Sequence, residues 1–464
     1  MSNNNPKVMF ATGVGTVTGS NFLLQAPNGA NILIDCGLVQ GEHVAMAVNR
    51  EPFSYDPSSI QTLLVTHAHL DHVGRIPKLV KEGFHGTIYS TPQTRDLAEL
   101  ILNDAVGILA EEARHDGVTP LYVLEDVQQV FPLWKTVQYH EQLALAPDVS
   151  AVFKDAGHIL GASMIEITIV GQNENNSENK KILFSGDLGN SPAPLLCDTE
   201  PLGDVDYLAI ESTYGDRNHE PKEERLRKLE QVIKSTLGRG GTLIIPAFSV
   251  DRTQVILYEL NNLMESGRIE RVPVFVDSPM TIKATQIYKD NESLFNSHVR
   301  EQIHRGDNIF SFPGLEYAVT QGDSRHAERL KGAKIILAGS GMSIGGRVIS
   351  HEEYFLPDPR STILLVGYQS VGSLGRELAD GARKVRIHGR EISIKAHIET
   401  LYGYSSHKDS DHLVEFVSTG TSRLKKVFVI MGEPGASMHL AQRLNNELDA
   451  HAIIPDKNVF YELN

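Results

Sequence analysis

His67-Ala68-His69-Leu70-Asp71-His72 places four side chains with metal-ligating atoms inside six residues. Imidazole nitrogens together with a carboxylate suit Zn²⁺. The run comes directly after Gln61-Thr62-Leu63-Leu64-Val65-Thr66, an apolar stretch of strand character. Ligands at the end of a buried strand are held by the core beneath them. Rings this close would repel one another if protonated, so the pattern predicts neutral imidazoles around a cation rather than a solvated turn.

Other apolar runs end in residues of the same kinds. Asn31-Ile32-Leu33-Ile34 runs into Asp35, Ser150-Ala151-Val152-Phe153 leads to Gly157-His158, Lys181-Ile182-Leu183-Phe184 reaches Asp187, and Tyr207-Leu208-Ala209-Ile210 reaches Glu211. Converging strands would bring these ends together. On this reading His67, His69 and His158 hold one zinc ion, Asp71 and His72 hold a second, and Asp187 bridges them, with the ions about 3.5–4 Å apart. Asp35 reads as the carboxylate that orients a ligand imidazole from behind.

The elements that must position these residues alternate between strand and helix, which predicts a layered α/β architecture. Leu226, Leu229, Val232, Ile233 and Leu237 form an apolar stripe after an acidic first turn, with Gly238 read as the helix stop. Between about 212 and 390 the pattern changes. Thr242–Pro246, Val272–Asp277, Lys334–Ala338 and Thr362–Val366 read there as buried strands of an α/β insert, after which Val427–Ile430 resumes the first style. Gly13-Val14-Gly15 with Gly19 predicts a tight hairpin rather than a dinucleotide loop, because the third glycine is misplaced. The polar segment 171–180 reads as a solvated loop.

The chain has 464 residues, 41% of them hydrophobic and 22% charged, enough for two or three lobes with substantial cores. No apolar run is long enough to span a membrane, and the N-terminus carries no secretory pattern. Two cysteines, Cys36 and Cys197, make no disulfide framework and point to a reducing cytoplasm. A net charge of −15 argues against a surface that grips nucleic acid indiscriminately, although bound metal adds positive charge where an anionic substrate must sit.

Taken in order, Asp35, His67-x-His69-x-Asp71-His72, His158 and Asp187 resemble the metallo-β-lactamase superfamily, and the chain beyond Asp187 resembles its β-CASP nuclease branch. The stretches that carry the resemblance are Glu211-Ser212-Thr213-Tyr214-Gly215, Ile245 to Arg252, Asp277-Ser278-Pro279-Met280, Gly339-Ser340-Gly341-Met342, Gly367-Tyr368-Gln369 with Gly372 to Arg376, and Ser405-Ser406-His407-Lys408-Asp409. The resemblance implies a four-layer αββα metallo-β-lactamase domain formed by 1–211 and 391–464, with an inserted α/β β-CASP domain over 212–390 as a lid and substrate in the cleft. It implies zinc-dependent phosphodiester hydrolysis of RNA, endonucleolytic or also 5′-exonucleolytic, by a metal-activated hydroxide. His407 would then be the general acid, held by Glu211, with Asp71 also in the catalytic set and a 5′-phosphate and 3′-hydroxyl as products. Arg252, Arg347 and Arg376, with the Ser340-Gly341 turn, are the candidate phosphate contacts, surface ion pairs being their alternative.

One departure stands out: RNA-processing members usually carry His at the position of Met431, in Ile430-Met431-Gly432-Glu433-Pro434. A thioether is a poor Zn²⁺ ligand, so the second of the two expected ions is predicted to bind weakly, and the cue that separates RNA from DNA is lost. His439 reads as a helix residue rather than a displaced ligand, and His397, a competitor of His407 for the acid role, interrupts a strand-like alternation from Ile392 to Ile398 and reads as a structural residue. The leading expectation is a cytoplasmic nuclease acting on single-stranded RNA, with no membrane partner and with a homodimer admitted. A DNA-directed nuclease, a scaffold subunit with reduced catalysis and a small-molecule hydrolase remain as alternatives.

Overall fold

Val8, Phe10, Phe22, Leu24, Ile32 and Ile34 point from three consecutive strands into a core completed by Phe153, Ile165, Ile167, Ile182, Phe184 and Phe428 from a second sheet. The computed structural model describes residues 5–41, 43–171, 179–367, 369, 372–420 and 423–464. Most of the polar 171–180 segment and Tyr368 of the Gly367-Tyr368-Gln369 motif lie outside them. The chain divides into two units, one of Met1–Ala193, Asp198–Asn218 and His407–Asn464, the other of Pro194–Cys197 and His219–Ser406.

In the first unit, one seven-stranded sheet runs in the order Phe460–Glu462, Lys7–Thr12, Asn21–Gln25, Asn31–Ile34, Thr62–Leu64, Thr87–Ser90, Trp134–Thr136. The second runs Ala452–Ile453, Lys426–Ile430, Tyr207–Glu211, Lys180–Phe184, Ser163–Ile169, Val149–Asp155, Gln142–Ala146. Helices cover the outer faces: Pro92–His115 packs on Trp134–Thr136, and Pro434–Leu448 on Lys426–Ile430 and Ala452–Ile453. This is the four-layer αββα arrangement. Pro92–His115 forms because Thr91 caps its first turn by accepting from the Thr94 amide, Pro92 fits the opening position, and Leu97, Ile101, Leu102, Ala105 and Leu109 recur at helical spacing on one face. Each of those fully buried Leu and Ile side chains contributes about 2 kcal/mol as an upper bound.

Parallel pairing aligns strand ends where the ligands lie. Asn31–Ile34 pairs in parallel with Thr62–Leu64, and Lys180–Phe184, Tyr207–Glu211 and Lys426–Ile430 are parallel neighbours in the other sheet. The two sheets are tied at this end, where the Ser163 amide and hydroxyl both donate to the Thr66 carbonyl at 2.8 and 3.0 Å.

The second unit holds a six-stranded, wholly parallel sheet in the order Leu315–Tyr317, Val274–Asp277, Lys334–Ala338, Thr242–Pro246, Thr362–Val366, His397–Leu401. Its four inner strands are buried throughout, as expected for a parallel sheet with helices on its faces. The helix Lys222–Gly238 runs through its expected stop: Gly238 is helical, and Gly240, at φ +66°, turns the chain while the Gly241 amide donates to Thr236. The strand expected from Val272 begins only at Val274, because Pro273 has no amide to give a ladder. His397 is exposed and opens a separate edge strand, so the continuous Ile392-to-Ile398 strand is not formed. The Gly13 to Gly19 region does join antiparallel neighbours, but as a long loop between Thr12 and Asn21 rather than a tight turn. Neither cysteine is in a disulfide, and among the described residues no helix is long and apolar enough to cross a membrane.

Gly37 sits where the chain leaving Asn31–Ile34 passes the backbone of the ligand run: a Cβ built there would stand 1.5 Å from the Asp71 carbonyl oxygen and 2.7 Å from the His72 nitrogen. Gly37→Ala should therefore lower unfolding free energy by about 3 kcal/mol and displace the ligand run. Chemical denaturation read beside metal content checks this, and a variant with the wild-type midpoint contradicts it.

Candidate metal centre

The strand Thr62–Leu64 delivers the chain at Val65 and Thr66, and the short helix Leu70–Val73 takes it away, so His67 and His69 lie on the connecting turn and Asp71 and His72 in the helix. His158 arrives on the loop after Val149–Asp155, where the Asp155 carboxylate accepts the Gly157 amide at 2.8 Å. Asp187 comes just after Lys180–Phe184, and Glu211 ends Tyr207–Glu211. All these residues belong to the first unit.

His67 Nε2 lies 3.1 Å from His69 Nδ1 and 3.4 Å from Asp187 Oδ2, and His158 Nε2 lies 3.2 Å from His69 Nδ1 and 3.5 Å from the same Asp187 oxygen. Four ligands on a tetrahedral Zn²⁺ with bonds of 2.0–2.1 Å stand about 3.3 Å apart. The four measured separations bracket that value, and all four ligand atoms lie within 4.8 Å of one another. The other Asp187 oxygen, Oδ1, faces His72 Nε2 at 3.3 Å, and Asp71 Oδ2 is 3.8 Å from that nitrogen. Neither His72 Nε2 nor Asp187 Oδ1 makes a hydrogen bond, although both are buried. Two buried polar atoms without hydrogen bonds are costly to leave so, and a cation between them satisfies both. Asp187 thus serves both groups, while Asp71 stands outside the four-residue cluster of His67, His69, His158 and Asp187.

His69 and His158 carry the charge state that ligation needs, whereas His72 departs from the neutral imidazole expected of it. Burial, and then neighbouring imidazoles, hold His69 and His158 well below the usual histidine range, so their rings are neutral donors of lone pairs. Burial would also lower His72, but the Asp187 and Asp35 carboxylates outweigh it and lift it well above that range. Burial would raise Asp187, yet His72, His67 and His407 together pull it well below the usual carboxylate range. Asp71 is raised, first by burial.

Asp35 is fully buried, with φ 56°, and its carboxylate accepts from Ser20 Oγ at 2.9 Å, the Thr66 amide at 2.8 Å and Thr66 Oγ1 at 2.9 Å. It meets His72 Nδ1 at 2.7 Å, which leaves His72 Nε2 toward Asp187. Thr66, absent from the sequence-based set, also lies 3.1 Å from His67 Nδ1 and 3.3 Å from His72 Nδ1 through its hydroxyl. Its one available signal was a hydroxyl at the strand end immediately before His67.

His407 comes back to this group from far along the chain. Its Nδ1 is 3.1 Å from both Glu211 oxygens and 3.9 Å from Asp187 Oδ2. Glu211 also accepts the Leu188 amide at 2.7 Å, and the Lys408 amide donates to the Leu188 carbonyl at 2.8 Å, so one loop fixes both members of the pair. Burial would lower His407, but Glu211 and then Asp187 raise it to about 9.

The candidate phosphate contacts sit in the second unit, with many of their polar groups engaged locally. Arg347 gives NH1 to Asp277 at 2.6 Å and to the Ala318 carbonyl at 2.9 Å, and NH2 to the Val319 carbonyl at 2.9 Å. Arg376 Nε pairs with Asp380 one turn on. Arg252 is buried with NH2 on Ser406 Oγ at 3.2 Å, Ser340 Oγ accepts the Ile344 amide, and the Gly341 carbonyl accepts from Gln369. Met431, at φ 48°, packs into the inter-sheet core, its amide donating to the Gly13 carbonyl and its carbonyl accepting from Ser212 and Thr213. His439 is exposed on the helix Pro434–Leu448.

Three family models match: Metallo-beta-lactamase superfamily over 14–135, Beta-Casp domain over 253–378, and Zn-dependent metallo-hydrolase RNA specificity domain over 391–455. A ribonuclease of Thermus thermophilus is 37% identical over 86% of this chain and 88% of its own length. The transcription termination factor FttA of Thermococcus kodakarensis is 32% identical over 96% of this chain and 70% of its own, and that of Methanosarcina mazei 32% identical over 94% and 68%. Among solved structures, a protein of unknown function from Enterococcus faecalis shares the fold, with a TM-score of 0.58 at 13% identity over 99% of this chain and 100% of that one.

Removing the carboxylate that orients His72 should loosen metal at Asp71 and His72 before it loosens metal at His67, His69 and His158. Asp35→Asn is expected to weaken zinc binding about 10- to 100-fold in competition with a chelator; wild-type affinity would exclude the orienting role. Met431→His places an imidazole at the end of Lys426–Ile430 and should raise occupancy of the weaker ion in metal analysis, and no gain would mean that position faces only core.

Proposed function

The chain belongs to the β-CASP branch of the metallo-β-lactamase superfamily, and on that premise we propose that it is a metal-dependent ribonuclease. One observation carries the reading: His67, His69, His158 and Asp187, three of them buried, bring four ligand atoms within 4.8 Å of one another beside a Glu211–His407 pair suited to proton donation. His67, His69, His158 and Asp187 would hold one zinc ion, and Asp71, His72 and Asp187 a weaker second. When bound, the ions would supply a water of lowered pKa and neutralise charge on the phosphoryl oxygens.

The chain's own groups do the rest. Asp35 and Thr66 fix the tautomer and tilt of His72. Glu211 holds Nδ1 of His407 and stabilises its protonated form, which leaves the Nε2 proton for the oxygen that departs from phosphorus. Cations held there would subtract from the lift that Asp187 gives His407 and would bring it closer to neutrality, where a proton donor is most effective. Bond cleavage on that side yields a 3′-hydroxyl and a 5′-phosphate. Arg252, Ser340, Gly341, Arg347 and Arg376 are the proposed substrate contacts, Arg347 and Arg376 only if their present ion pairs are exchanged for phosphate.

The RNA specificity match and the ribonuclease relative support RNA as substrate; that the RNA is single-stranded and the setting cytoplasmic is part of the proposal. The division into 1–211, 212–390 and 391–464 remains part of this proposal. Met431 favours a second reading, a subunit with reduced catalysis. Metal content measured beside cleavage of end-labelled single-stranded RNA and DNA separates the two: stoichiometric zinc without cleavage of either would leave only the scaffold. His407→Ala should keep the metal and lower cleavage by at least 10²-fold, and unchanged turnover would remove His407 from the reaction.

A further inference from the structure

Residues 383–397 carry Arg383, Lys384, Arg386, Arg390 and Lys395 against the single acid Glu391, five positive charges to one negative, in a chain whose net charge is −15. They form a two-stranded antiparallel ribbon, Lys384–Ile387 with Arg390–Ser393, in the second unit. Val385 and Ile387 are 4% and 2% exposed and belong to that unit's core, with Ile392 and Ile394 packed against it. Strand alternation therefore turns Lys384 and Arg386 to solvent, with Glu391 paired across from Arg386.

The ribbon is anchored from beneath and charged on top. Lys384 pairs with Glu391 at 2.6 Å and Arg390 with Glu353 at 3.0 Å, whereas Arg383, Arg386 and Lys395, all exposed, make no ion pair among the described residues. A solvated protein face mixes signs, and clustering one sign on a stiff ribbon stores repulsion that a polyanion relieves. Chain ordering fits the same purpose. The Lys395 and Ala396 amides both donate to the Leu356 carbonyl, so the segment beyond the ribbon is held rather than trailing.

We propose that this ribbon is a docking surface for the phosphate backbone of single-stranded RNA, separate from the residues that do chemistry. The proposal rests on the ribonuclease reading for its choice of polyanion. Exposed guanidinium and ammonium groups at strand spacing meet phosphates without reading bases, so the contact adds affinity and leaves sequence preference unchanged.

The probe is fluorescein-labelled oligouridylate of about twenty nucleotides, a length on the scale of ssRNA-binding footprints, in EDTA so that no cleavage occurs, with anisotropy tracked from 50 to 400 mM salt as an order-of-magnitude range. Three lost phosphate contacts should make the slope of log K against log salt shallower by about 2 in the Arg383→Gln, Arg386→Gln, Lys395→Gln triple variant, with affinity at the lowest salt down roughly tenfold or more. Unchanged zinc content and unfolding midpoint show that the variant is folded, and Lys replacing each Arg should restore the slope. A folded triple variant with the wild-type slope overturns the proposal and leaves the ribbon to an acidic protein partner. Failure of the ribonuclease reading looks different: wild-type protein loaded with zinc would then leave the same oligonucleotide intact, whatever the ribbon binds.

Discussion

Asp187 divides its two oxygens among four imidazoles, and the placement of everything around it depends on that. Oδ2 faces His67, His158 and His407, and Oδ1 faces His72, at 3.3–3.9 Å. A carboxylate almost wholly removed from water needs compensating positive charge, and neutral rings with converging lone pairs need a cation. One buried anion thus favours metal on one side and a protonated His407 on the other. These residues come from four stretches of chain around two sheets, so the sheets must meet to within about half an ångström at one end.

The joint at that end is expensive locally and firm overall. Asp35 occupies a left-handed backbone conformation, which costs an aspartate about 1–3 kcal/mol. Its buried carboxylate gathers two hydroxyls, an amide and an imidazole, each bond to a charged group contributing about 1.5–3 kcal/mol. The sum exceeds the strain, so the conformation is stable only while its partners are in place. Thr66 then links this network to the second sheet through Ser163. Ligand geometry is therefore a property of the sheet junction as much as of the ligands themselves.

Much of this was legible from residue order because chemistry was concentrated at strand ends. A run of four ligand-type side chains in six residues marks its own location, and the buried inner strands of the second unit announce themselves by aliphatic content. What stayed hidden depends on the third dimension. Thr66 is an ordinary strand-end threonine until Asp35 is placed beside it, and Arg347 resembles a phosphate ligand until Asp277 and the carbonyls of 318–320 take up its donors. The helix stop at Gly240 rather than Gly238 turns on which of two glycines adopts positive φ, a choice made by the next strand. His397 was misread because alternation of apolar residues continues across a break where Lys395 and Ala396 turn to bond Leu356.

Tyr207–Glu211 pairs residue by residue with Lys426–Ile430 across nearly half the chain's length. During synthesis the proposed metal ligands therefore emerge long before the strand Lys426–Ile430 that pairs beside Glu211, and before His407, the proposed acid. Until then Tyr207–Glu211 has an unfilled seat for its neighbour, and closing the sheet waits on a pairing of high sequence separation, which is slow to form.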